Sequence, residues 1–151
     1  LISFPSPISP GIRARCFALV PPGDIGLGKL INCARYLVEV PPVDHNTDWD
    51  QLLYSINNEE SWCYERPKDG KVFDVSAAII KSDIYHEGKR FFVELLVKIG
   101  PGEVPVRGLL DLLTAKAGTV PVLVSQVTRT GLYRMENSCL IDPLGKTEEF
   151  N

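Results

Sequence analysis

Between Phe91 and Ile99 the odd positions, Phe91, Val93, Leu95, Val97 and Ile99, are all apolar, while Glu94 and Lys98 stand among the even ones. A period of two predicts a strand with one face in a core and the other wet. Arg35–Val40 (RYLVEV) reads as a second strand, stopped by Pro41-Pro42. Between these strands Trp49, Leu52, Leu53 and Ile56 fall on one helical face. Thr47 stands three residues before Asp50, an approximate capping box, and Asn57-Asn58 ends the run. Ser61–Arg66 (SWCYER) predicts a strand that the turn Pro67-Lys68-Asp69-Gly70 folds back onto Val72–Val75. Ala77–Ile84 fits a helical turn or a strand equally well. After Gly100-Pro101-Gly102, the leucines at 109, 110, 112 and 113 predict a helix over Val106–Ala117 that stops at Gly118. Val120–Thr130 reads as the last strand.

The resulting order, strand–helix–strand–strand–helix–strand with a small insert, predicts an α+β fold of ferredoxin-like βαββαβ type. Its antiparallel sheet would carry both helices on one face. The first and third strands would be central, and the strands carrying Arg66 and Arg129 would form opposite edges. This domain is expected over residues 35–135. Residues 1–34 contain five prolines before Gly23, one candidate strand (Arg15–Val20) and a short helical linker from Leu27 to Ala34. They read as the remnant of a preceding domain, in a chain that opens without Met. Residues 136–151 read as a polar tail.

Composition is ordinary for a globular chain: 44% hydrophobic and 23% charged residues, with a net charge of −3. The acidic balance confines any nucleic-acid role to a local patch. Four cysteines, at 16, 33, 63 and 139, make no CxxC pair and have no histidine at ligand spacing. With no apolar signal peptide, they read as reduced thiols of a cytoplasmic protein. The longest apolar runs fall far short of the roughly 20 residues of a membrane span. The two histidines, His45 and His86, sit in polar turns with no nucleophile signature nearby, and no phosphate-binding glycine loop is present. These observations point away from a catalytic centre, a metal site and a bound cofactor within this chain. Two basic groups remain, Arg66, Lys68 and Lys71 around one turn, and Arg129 and Arg134 near the end. A ferredoxin-like sheet is also the scaffold on which some RNA-binding domains stack bases. Here Phe92, Glu94, Leu96 and Lys98 would line its outer face, a poor stacking platform.

Four segments, Leu30–Tyr36 (LINCARY), Glu65–Asp74 (ERPKDGKVFD), Gly102–Leu110 (GEVPVRGLL) and Arg129–Tyr133 (RTGLY), resemble the C-terminal part of the radical-SAM-linked domain family. That family has no assigned biochemical function, and its members occur fused to or beside radical-SAM proteins. The resemblance spans Val20 to Tyr133 in order. It holds at Glu65, Arg66, Lys71, Asp74, Arg129, Thr130 and Tyr133. It departs where Ser76-Ala77 replaces an Arg-Pro pair, and at Pro105-Val106, although Arg107 is adjacent. It implies a missing N-terminal half and places any iron–sulfur chemistry in a partner. Three roles are therefore expected: a non-catalytic accessory module that binds RNA or docks a radical-SAM protein, half of an enzyme completed by the missing part, or a structural interaction domain. The residues expected to bind are Arg66, Lys68, Lys71, Asp74, Arg107, Arg129, Tyr133 and Arg134.

Overall fold

The computed structural model describes residues 19, 22–23, 26–40, 54, 62–88, 90–117 and 126–149. A single helical turn, α1 (Leu27–Leu30), leads into β1 (Cys33–Val40). A hairpin of β2 (Cys63–Glu65) and β3 (Val72–Asp74) follows, then a 3-10 turn at Ser76–Ala78. Next come β4 (Ile79–Glu87), β5 (Arg90–Lys98), α2 (Val106–Ala117), β6 (Val127–Glu136), β7 (Cys139–Ile141) and β8 (Thr147–Glu149).

The ferredoxin-like sandwich expected above is not the fold. One antiparallel sheet has six strands in the order β4-β5-β1-β6-β7-β8, and β2 and β3 form a second sheet of their own. The large sheet curls into a half-barrel, and the described helices are only α1 and α2. Two local differences produce the change. First, Ser61–Arg66 is expected at a sheet edge, yet its backbone groups are used within its own hairpin. Cys63, Tyr64 and Glu65 pair with Asp74, Phe73 and Val72, and the Val75 amide extends the ladder to the Trp62 carbonyl at 2.7 Å. The edge belongs to β4, which pairs with β5 along its whole length through a tight turn at Gly88 (φ 61°). Second, the stretch after Glu136, expected as a tail, adds β7 and β8. The last long strand begins at Val127, and residues 120–125 of the expected Val120–Thr130 strand lie outside the described residues. The same holds for the expected Arg15–Val20 strand apart from Leu19, and for the Thr47–Ile56 helix apart from Tyr54.

β1 lies inside the sheet between β5 and β6, and its pairing with β5 runs from Cys33 opposite Lys98 to Val40 opposite Phe91. The odd residues of β5 turn inward as their alternation indicates. Val93, Leu95 and Val97 pack with Val38 and Val40 of β1 and with Leu109, Leu110 and Leu113 of α2. Each such side chain contributes about 1.5–3 kcal/mol on burial. Phe73, Val75 and Val104 join this core and tie the small sheet to it. Tyr64 lays its ring against Gly108 of α2, where an added Cβ would approach the ring at 2.5 Å. Glycine in mid-helix is unfavourable by itself and here accommodates an aromatic ring.

On the opposite face a second cluster forms around Cys33, Leu96 and Leu140, with Ile80, Tyr133 and Met135 beside it. Asn32 secures this end of the sheet. Its amide donates to the Tyr133 carbonyl (3.1 Å), its own carbonyl accepts from the Ile99 amide (3.0 Å), and its side-chain oxygen accepts from the Met135 amide (2.7 Å). Burial pushes the Cys33 thiol up to about 11, with Arg35 pulling the other way. The Cys33 thiol is therefore protonated and unreactive near neutral pH.

Candidate functional site

The β2–β3 hairpin is built by its turn. The Arg66 carbonyl accepts from the Gly70 amide at 2.9 Å, the Arg66 amide donates to the Lys71 carbonyl, and Gly70 takes φ 68°, a conformation natural to glycine. Asp69 then reaches back to Arg66. Its carboxylate accepts from Arg66 Nε at 2.9 Å and from Nη2, a two-pronged pair, and also from the Lys71 amide at 3.2 Å. The Arg66 hydrogen bond, helped by the Lys71 amide, pulls the Asp69 carboxyl down to about 2. Arg66 and Lys71 both lie over the ring of Phe73, at 5.4 and 5.0 Å from its centre. Phe73 itself is buried, so the guanidinium and ammonium groups are what the hairpin presents.

These two cations form one wall of a groove of about 380 Å³. The other wall is the segment from Ile99 through Gly100-Pro101-Gly102 to Val106, the first residue of α2. Gly100 and Gly102 hold φ 130° and 87°, which lets the chain turn sharply into the helix. The first residue of α2, Val106, therefore borders the groove beside Arg66 and Lys71, at the end of the helix where backbone amides lack intrahelical partners. Glu103 lies on the same wall, so an anion here would meet Arg66 and Lys71 against one carboxylate.

Of the eight residues expected to bind, the fold brings Arg66 and Lys71 together in this groove and leaves Lys68 exposed on the same turn. The other five are dispersed. Asp74 caps the 3-10 turn, accepting from the Ser76 hydroxyl at 2.6 Å and its amide at 3.1 Å. The Ser76 hydroxyl holds its carboxyl below the usual range. Arg107 is exposed on α2 and pairs with Asp111 one turn on at 2.9 Å. Arg129 is exposed on β6 opposite Tyr36. Arg134 Nε comes within 3.3 Å of the Glu136 carboxylate but off its hydrogen-bonding direction. Tyr133 belongs to a different site altogether.

That second site is not among the sequence expectations. On the face of the large sheet opposite α2, Arg35 rises from the central strand β1. Its guanidinium lies 5.1 Å from the centre of the Tyr133 ring and donates to the Tyr133 hydroxyl at 3.2 Å. The ring in turn covers Gly131, the residue paired with Arg35 across the strands. From β8, Glu148 accepts two hydrogen bonds from Arg35, at 2.7 and 3.4 Å. This contact raises the Arg35 pKa further. Glu94 stands 3.9 Å away. A cavity of about 490 Å³ opens here, lined also by Lys81, Asp83, Tyr85 and Glu149. Carboxylates outnumber cations in it, and Glu94 is the first cause of the raised Tyr85 hydroxyl pKa. The one legible signal is a lone arginine within an apolar strand. Its partner lies 113 residues away, beyond the reach of any local pattern.

The rest of this face is closed to stacking. Phe92 lies under Arg90, at 4.9 Å, and Arg90 is forked to Glu39 at 2.9 and 2.8 Å. On the α2 side of the sheet, His86 packs edge-on against Phe91, with ring centres 4.6 Å apart. Among the described residues no group of His, Cys, Asp or Glu is placed to hold a metal ion, and no helix is long and apolar enough to cross a membrane.

No family model matches the chain, and neither a curated protein nor a solved structure matches it. None of these comparisons supports the resemblance to the radical-SAM-linked family.

Proposed function

We propose that the chain is a non-catalytic binding module that takes single-stranded RNA at the groove between the β2–β3 hairpin and α2. The supporting observation is the convergence of Arg66, Lys71 and the α2 N-terminus on one concave surface. Arg66 is held in place by Asp69 and Phe73, so its guanidinium is ordered before a ligand arrives, and an ordered guanidinium plane is a surface on which a base can stack. Lys71 and the helix amides then meet the adjoining phosphate. The open face of the large sheet is a poor alternative, since Glu39, Asp83, Glu94 and Glu148 would repel a phosphate backbone.

With only two cations engaged, binding is expected to be weak and to follow salt gently. Fluorescence anisotropy with a labelled single-stranded RNA should give a log–log salt slope of about −0.7, the value for the one phosphate that Lys71 meets. Arg66→Ala and Lys71→Ala should each weaken binding about five- to tenfold. Arg129→Ala and Arg134→Ala should leave it unchanged. Absence of binding at low salt, or equal losses at all four positions, would remove the proposal.

A further inference from the structure

The Arg35 site bears on a ligand other than RNA. Its guanidinium is fixed by the Tyr133 ring beneath it and the hydroxyl at its side, and only about a fifth of the side chain is exposed. Its remaining edge faces a carboxylate in two-pronged contact, the geometry in which arginine recognises carboxylates generally. The occupant is supplied by the least secured element of the sheet. β8 has three residues, all exposed, and pairs only with β7. A strand of that kind can lift its side chain away without disturbing the central strands.

From these features we infer that Arg35 is a carboxylate-binding site, that Glu148 is its built-in competitor, and that the adjoining cavity accepts an amino acid carrying one carboxylate and at least one ammonium group, whose carboxylate replaces that of Glu148. The cavity, about 490 Å³ and within the range of small-molecule sites, has room for such a molecule. The need for a positive group follows from its lining. With the Glu148 carboxylate exchanged for the ligand's own, Asp83, Glu94 and Glu149 still face the cavity against Lys81 and Arg35. A bare anion would enter a negative field, whereas a ligand carrying an ammonium group as well would be drawn into it. Fixed cation and surrounding acids thus select for both ends of one molecule.

The reporter is the Arg35 Nε–Hε resonance in nitrogen-edited NMR spectra of the full chain, titrated with L-lysine and separately with acetate in the absence of RNA. In Glu148→Ala the resonance should move on adding lysine, with affinity about two- to fivefold above wild type, because the internal competitor is gone. Lysine should bind at least several-fold tighter than acetate. Glu148→Gln should behave as Glu148→Ala does, and dispersed backbone spectra of both variants establish that they are folded. Arg35→Lys combined with Glu148→Ala should lose the lysine-induced backbone shifts around Tyr85 and Glu94. A folded Glu148→Ala or Glu148→Gln protein whose Arg35 resonance is unmoved at about 50 mM lysine, well beyond a millimolar Kd, would overturn the inference. So would equal affinities in the variants and wild type, or for lysine and acetate.

Discussion

Leu140→Ala is expected to destabilise the protein by about 2–5 kcal/mol, as much as a truncation in the main core. Leu140 is fully buried, wedged with Cys33 and Leu96 on the face of the sheet opposite α2. It is the inward residue of β7, flanked by the half-buried Cys139 and Ile141. Removing its isobutyl group opens a cavity against β1 and β5 and loosens the hairpin that carries Glu148. For a chain of this length the expected fall in Tm is about 2–4 °C for each kcal/mol. Thermal and urea unfolding followed by circular dichroism will read it. Leu144→Ala, in the exposed turn between β7 and β8, should stay within about 0.5 kcal/mol. Were residues 136–149 a polar tail, both substitutions would be equally silent.

Leu109→Ala should have a comparable effect, about 2–5 kcal/mol, for a different reason. α2 covers the inner face of the sheet through Leu109, Leu110 and Leu113, and Leu109 is 1% exposed in a core it shares with Leu95 and Val97 of β5. The outward face of the same helix provides the control. Arg107→Ala removes the exposed pair with Asp111 and should cost no more than about 0.5 kcal/mol. Gly108→Ala falls between them. Its new methyl group meets the Tyr64 ring at 2.5 Å, and making room should cost about 1–3 kcal/mol. Because Tyr64 belongs to β2, Gly108→Ala should also displace the hairpin bearing Arg66 and so weaken RNA binding, which Leu109→Ala reaches only through global stability. Equilibrium unfolding paired with anisotropy separates the two effects.

These substitutions also mark which parts of the fold are legible in the sequence. β5 is readable because its apolar residues alternate without interruption, and α2 because four leucines fall within five positions. β4 is ambiguous for a physical reason. Its pairing with β5 slips between Ile79 and Lys81, so the alternation changes phase just where Ala77-Ala78-Ile79-Ile80 presents an unbroken apolar run. With β4 unassigned, Ser61–Arg66 takes its place at the edge and the fold class comes out wrong. β7 and β8 are three residues each, too short to display any period, and β8 is wholly exposed. The two sites divide in the same way. Arg66 and Lys71 flank a turn spelled out by Pro67-Lys68-Asp69-Gly70, so their proximity is local. The Arg35 site needs β1, β6 and β8 in one sheet, and only the folded chain supplies that.

Chemical-shift mapping of the amide spectrum with single-stranded RNA tests the proposed binding role most directly. The account predicts shifts concentrated at Arg66–Phe73 and from Gly100 to Arg107, on both walls of the groove, and their loss in Lys71→Ala. Shifts centred instead on Arg129 and Arg134, or on the sheet face around Arg35 and Glu94, would contradict it.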